Sequence, residues 1–255
     1  IIAAAIAEGK GINFMRLFAI GDLHLSGNPP KKPMDVFGAR WKNHWQRIRE
    51  DWIARVTAAD TVLIAGDTSW AMHLQDAQED LDEIRALPGK KIIIRGNHDY
   101  WWESAGKLNR MDNKNNMYYL YGTVMTTDDK KFAVCGTHGW VCPGDIHYHA
   151  PEDDKPYRRE LLRVERTLQI AADAGCRHTI LLLHYPPVCD LTKPSGFTEL
   201  LEKYRVPLCI FGHLHGMQPD TMFPRFYNGT LLHLVSADYR DCKLLDITEI
   251  LDKEG

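Results

Sequence analysis

An excess of one charge is missing from this 255-residue chain: 31 Lys and Arg stand against 34 Asp and Glu, for a formal net charge of −3. No global field marks a nucleic-acid binder, and nucleic acid is not favoured as a partner. Paired cysteine is missing as well. Cys135, Cys142, Cys176, Cys189, Cys209 and Cys242 include no C-x-x-C pair and no dense spacing, which argues against a zinc ribbon and a disulfide framework. Reduced thiols in a cytoplasmic protein are expected. Long apolar runs are also absent. The opening I-I-A-A-A-I-A is broken by Glu8 and has no basic residue before it; it is too short for a membrane span and lacks the charged start of a signal peptide. No membrane span is expected. Neither a proline-rich linker nor an internal repeat divides the chain. One domain over residues 15–255 is the consequence, with residues 1–14 an extension outside the fold, because structured sequence is read only from Met15 onward, in M-R-L-F-A-I-G-D.

What the sequence does contain is a series of short, nearly continuous apolar runs, and 44% hydrophobic residues are enough to bury a full core. R-L-F-A-I-G-D (16–22), T-V-L-I-A-G-D (61–67), K-I-I-I-R-G-N (91–97), T-I-L-L-L-H-Y (179–185) and P-L-C-I-F-G-H (207–213) have strand length and no alternation, as strands covered on both faces do. Helix-period segments lie between them, at 44–56, 76–87 and 157–175. Strand alternating with helix implies crossover connections. Residues 131–140, 229–236 and 242–250 are read as further strands, which is more sheet than one layer holds. The expectation is an α/β fold with two packed sheets flanked by helices.

Each of the five runs ends in polar residues: Gly21-Asp22-Leu23-His24, Gly66-Asp67, Gly96-Asn97-His98-Asp99, His184, and Gly212-His213-Leu214-His215. In a crossover sheet the carboxyl ends of the strands share one edge, where ligands bind, so these residues converge. Oxygen and imidazole donors without thiolate suit Mn, Fe or Zn, with Co and Ni as further options. Asp22, His24, Asp67, Asn97, His184, His213 and His215 are too many ligands for one catalytic ion that keeps an open position. Two divalent or trivalent transition-metal ions sharing a carboxylate are the economical reading.

The ordered set D-x-H, G-D, G-N-H-D, H and G-H-x-H resembles the calcineurin-like metallophosphoesterase superfamily, over roughly residues 16–250. The resemblance implies a four-layer α/β/β/α sandwich of two packed mixed sheets with a binuclear metal centre at one edge. It implies that Asp22, His24 and His215 hold one ion, that Asn97, His184 and His213 hold the other, and that Asp67 bridges them. It places His98 beside the scissile phosphate, where it either stabilises the phosphoryl oxygens or protonates the leaving oxygen. The implied activity is hydrolysis of a small phosphorylated substrate, a phosphomonoester or phosphodiester, by a metal-bridging hydroxide attacking phosphorus in line. The alternative from another class is a catalytically silent binding or scaffolding module on the same fold.

Four further residues are candidates for the neighbourhood of the substrate. Asp99 fits the acidic position of the motif, with a loop-holding role favoured over metal contact. Trp101 belongs to a run of aromatics that either packs the loops or walls an organic leaving group. His138 follows another strand end, and Arg40 either reaches a second phosphate or lies on a solvated face.

Overall fold

The computed structural model describes residues 15–112, 116–127, 129–218 and 222–253; residues 1–14, expected to stand apart from the fold, lie outside these. Eleven strands among the described residues form two sheets. The first has the order β11-β1-β2-β3-β4, built from β1 (Leu17–Ile20), β2 (Thr61–Ile64), β3 (Lys90–Ile94), β4 (Met117–Leu120) and β11 (Leu245–Asp246). Its strands run parallel except for β11, which pairs antiparallel with β1. The second has the order β5-β6-β7-β8-β10-β9, with β5 (Thr123–Thr126), β6 (Phe132–Gly136), β7 (His178–Leu182), β8 (Leu208–Phe211), β9 (Arg225–Tyr227) and β10 (Thr230–Leu234). Here β6, β7, β8 and β10 are parallel and the edge strands β5 and β9 antiparallel.

The unbroken apolar runs have a direct physical cause. Side chains alternate across a strand, and here both faces are covered. Leu17 and Ala19 of β1, with Leu63 of β2, meet Val134, Ile180 and Ile210 of the other sheet in a layer between the sheets. Phe18 and Ile20 point the other way, toward Ile48 and Trp52 of α1 (His44–Arg55) and Leu81 and Ile84 of α2 (Gln78–Arg85). On the far side, Leu181 and Cys209 pack under Val164 and Leu168 of α4 (Asp154–Ala174) and Leu201 of α5 (Gly196–Lys203). The result is two mixed sheets flanked by helices, layered α/β/β/α. A third helix on the first sheet, α3 (Ala105–Asp112), joins β3 to β4.

The tail departs from expectation. Only Leu245–Asp246 is strand, and Ile247–Lys253 forms a helix, α6. Ile247 and Leu251 are both buried, and their separation of four residues is a helical period, not the alternation of a strand.

The strand ends of the two sheets are stitched together. Gly21 N donates to Val235 O at 2.8 Å and Ala237 N donates to Gly21 O at 3.1 Å, which joins the end of β1 to the end of β10. Two parallel edges thereby become one rim.

Candidate metal centre

The rim gathers all seven expected ligands. Ligand atoms of Asp22, His24 and His215 lie within 4.8 Å of one another, and so do those of Asp22, Asp67 and His184. His24 Nε2 is 3.3 Å from His215 Nε2. Asn97 Oδ1 is 2.6 Å from His184 Nε2 and 3.0 Å from His213 Nδ1. Asp67 Oδ2 stands between the two groups, 3.8 Å from His24 Nε2 and 3.6 Å from His184 Nε2. Its other oxygen accepts a hydrogen bond from His98 N at 2.8 Å.

Of the glycines that precede these residues, Gly66 takes a left-handed φ of 86°, whereas Gly96 and Gly212 serve close approach. A Cβ on Gly96 would overlap Asp67 Oδ1 and the Asp67 nitrogen, and one on Gly212 would overlap Asp22 Oδ2. Each of these two glycines leaves the space that a carboxylate from another strand fills, from the adjacent β2 for Gly96 and from the other sheet for Gly212. Left-handed backbone also falls on the candidate ligands themselves: Asp22, His24, Asp67 and His213 have φ of 58°, 47°, 50° and 73°. Such conformations are uncommon outside glycine and cluster at functional sites.

The donor set fits a cation. His184 Nδ1 lies 2.9 Å from the Ala65 carbonyl, so that nitrogen carries the proton and Nε2 presents a lone pair. That lone pair faces Asn97 Oδ1, an acceptor meeting an acceptor, with Asp67 Oδ2 close by. His215 Nδ1 likewise donates to Asp238 Oδ1 at 2.9 Å, turning Nε2 toward Asp22 Oδ1 at 3.4 Å. A positive charge at each point satisfies what these atoms leave unmet.

Electrostatics without ions points the same way. Burial opposes charge on Asp22, but His215, His184 and His24 outweigh it and hold the carboxyl below its usual range. Burial opposes the His215 imidazolium too, yet Asp22 and Asp238 raise its pKa to about 10. Burial, with Asp99 and Asp22 nearby and His184 opposing, pushes Asp67 up to about 7. Burial lowers His24 and His213 to about 3 each. Without ions His215 thus holds a proton where a cation belongs, Asp67 is inclined to hold one, and His24 and His213 stay neutral.

The remaining candidates fall in different places. His98 is half-buried, its ring centroid 4.4 Å from that of Trp70, and it lines a cavity of about 670 Å³ that also reaches His24 and His215. Arg40 lines the same cavity; it donates from Nη1 to the Met217 carbonyl and from Nη2 to Gln218 Oε1 at 2.8 Å. His138 is buried on the opposite side of the centre, stacked on His184 at 5.9 Å, with Nε2 lacking a hydrogen-bond partner.

Asp99 and Trp101 do not line the cavity, which corrects their placing beside a substrate; the loop-holding reading of Asp99 and the packing reading of Trp101 stand. Asp99 is fully buried and accepts from Thr68 N, Ser69 N, Gly96 N and Trp101 Nε1. Its carboxylate ties the ends of β2 and β3 together, and four donors leave it little capacity for a substrate. Trp101 is buried in the core between the first sheet and its helices, where its large apolar ring gains more than at a wet rim.

Two residues escaped the sequence reading. Asp238, 1% exposed, holds His215 and also accepts from Gly216 N at 2.8 Å. The signal was present, since L-H-L-V-S-A-D is another apolar run ending in a carboxylate. Tyr185 packs its ring 4.3 Å from His213 and 5.5 Å from His184; no pattern marked it.

The family model described as calcineurin-like phosphoesterase matches residues 15–217. The chain belongs to that family. Metal-dependent hydrolysis of phosphoesters is the general activity of such a phosphoesterase, and the cluster just described is its candidate metal site. Among solved structures the chain is similar to the protein of unknown function AQ665 from Aquifex aeolicus, at 18% identity and a TM-score of 0.52, covering 95% of this chain and 100% of that one. It is also similar to TT1561 of Thermus thermophilus, at 12% identity and a TM-score of 0.52, covering 91% and 98%. At these identities the likeness concerns the fold. No curated protein gives a significant match. Among the described residues of this phosphoesterase, no helix is long and apolar enough to cross a membrane.

Proposed function

We propose that this phosphoesterase hydrolyses phosphoric esters of small molecules with two transition-metal ions. Asp22, His24 and His215 would hold one, Asn97, His184 and His213 the other, and Asp67 both; Mn, Fe or Zn suit these donors, and Co or Ni can replace them. The observation that carries the reading is the position of Asp67 Oδ2 between His24 and His184, 3.8 and 3.6 Å from their Nε2 atoms. When bound, two ions would neutralise phosphoryl oxygens and make water a nucleophile at neutral pH.

The chain's own contribution follows from its geometry. Asp238 and the Ala65 carbonyl fix the tautomers of His215 and His184. His98, at the inner end of the cavity, would give an N–H to a phosphoryl oxygen or a proton to the departing alcohol oxygen as the P–O bond breaks. Asp99 holds the His98 loop in register with Asp67. We also take residues 15–255 as one catalytic unit, because the ligand set draws on both sheets, and assign it to the cytoplasm, a placing supported by six free thiols.

The test is hydrolysis of a chromogenic phosphodiester and its monoester by metal-stripped protein, with Mn, Zn, Fe, Co and Ni restored singly. Turnover that returns with metal and vanishes in Asp67→Ala supports the reading. Two bound ions with no turnover on any ester would favour a silent binding module.

A further inference from the structure

The 670 Å³ cavity beside His98 holds more than a phosphate needs. Its outer wall is the segment between β1 and α1, where Met34–Phe37 and Ala39–Trp41 form two short 3₁₀ turns. That wall is pinned. Trp70 Nε1 donates to Met34 Sδ at 3.4 Å, Arg47 Nη1 donates to the Arg40 carbonyl at 2.9 Å, and Arg40 clasps Met217 and Gln218 across the cavity. Yet Phe37, which lines the cavity, is 68% exposed, and its neighbour Val36 is 72% exposed. A fastened wall that presents a large apolar ring to an opening is a surface made for a ligand.

The walls also identify the kind of group. Trp70 is not free to stack, because His24 lies on its ring at 4.7 Å and Lys32 Nζ sits 5.1 Å from its centroid. Trp41, also in the lining, is buried with its ring against His24 and His215; Phe37 and the guanidinium plane of Arg40 remain, and both are surfaces on which flat aromatic groups stack. Asp238, the cavity's acidic residue, has its two oxygens engaged by His215 and Gly216, and the Arg40 guanidinium in the same lining offsets its charge toward an anionic ester. We propose that the cavity binds the alcohol portion of the substrate, and that this portion is a bulky, flat aromatic group, as in an aryl or nucleoside phosphate. The inference rests on the phosphoesterase reading in that His98 marks the phosphoryl end of the cavity.

Methyl phosphate, cyclohexyl phosphate, phenyl phosphate and AMP, titrated into the metal-loaded protein with tryptophan fluorescence and turnover as separate readouts, test it. Phenyl phosphate and AMP should bind at least about tenfold more tightly than methyl phosphate, with cyclohexyl phosphate between. Tighter binding of AMP than of phenyl phosphate would identify the group as a nucleoside, and equal binding as a simple aryl; both support the proposal. Phe37→Ala should cut the phenyl-over-methyl ratio about tenfold, Phe37→Tyr should preserve it, and Leu162→Ala, an exposed position on α4, should leave it unchanged. Equal affinity for methyl and phenyl phosphate, or a ratio untouched by Phe37→Ala, overturns the inference while turnover leaves the hydrolase standing. Selective aromatic binding with no turnover under any metal leaves the pocket standing and sinks the hydrolase.

Discussion

Around Asp22, His24 and His215 the centre opens into the large cavity, and His215 keeps 34% of its side chain exposed. Around Asn97, His184 and His213 it is more enclosed: His184 is fully buried, Tyr185 packs on His213, and His138 stacks on His184, with Asn97 and His213 only partly exposed. The supports differ in the same sense. The open side is braced by a charged group, Asp238, and the enclosed side by a neutral one, the Ala65 carbonyl. A carboxylate behind an imidazole raises its basicity, which offsets competition from water where the site is wet. On the more enclosed side the brace is a carbonyl, which fixes the His184 tautomer without adding charge. Similar donor types thus stand beside the large cavity and in a more enclosed setting.

The largest expected effect removes what the two halves share. Asp67→Ala should abolish metal-dependent turnover and lower the metal content of both halves, measured by elemental analysis after dialysis; loss of one ion alone would mean that Asp67 serves one half. Next comes His98→Ala, which acts on the open side without touching a ligand. Turnover should fall by about 10² to 10⁴-fold while metal content stays at the wild-type level, and a parallel loss of metal would place His98 among the ligands.

Asp238→Asn bears on the contrast directly. It should weaken the ion held by His215 by about 10 to 100-fold and leave the other ion in place, as read by competition with a chelator. Equal weakening of both ions would erase the distinction between braced and enclosed halves.

The smallest effect is in protons. Without ions, Asp22 and Asp238 raise His215 to about 10 against its burial, and burial raises Asp67 to about 7, so both hold protons more readily than free groups do. Metal needs both deprotonated, so loading at pH 7 should release protons and strengthen as pH rises. Calorimetry in two buffers of different ionisation enthalpy measures this release. A value near zero would mean that the ligands are already deprotonated without metal.

Legibility followed the physics of each feature. The strands could be read because double-sided burial leaves continuous apolar runs, as in Ile92-Ile93-Ile94. The edge strands β4, β5 and β9 carry no such run and were not foreseen. The ligand set was visible because each member follows a strand, and strand ends meet along one edge. Whether Asp99 and Trp101 held the loop or met a substrate could not be read, because proximity in sequence to His98 says nothing of the direction in which a side chain leaves the loop; both turn inward.

By itself, then, the sequence determined the layering and the chemical identity of the centre, since burial periodicity and donor type belong to residues one at a time. Which side of that centre is open, which imidazole leans on Asp238, and which aromatic lines a cavity instead of filling a core were decided only in the tertiary structure. These are relations between segments as distant as Phe37, Trp70 and Asp238, and such relations exist only once the two sheet edges have been joined.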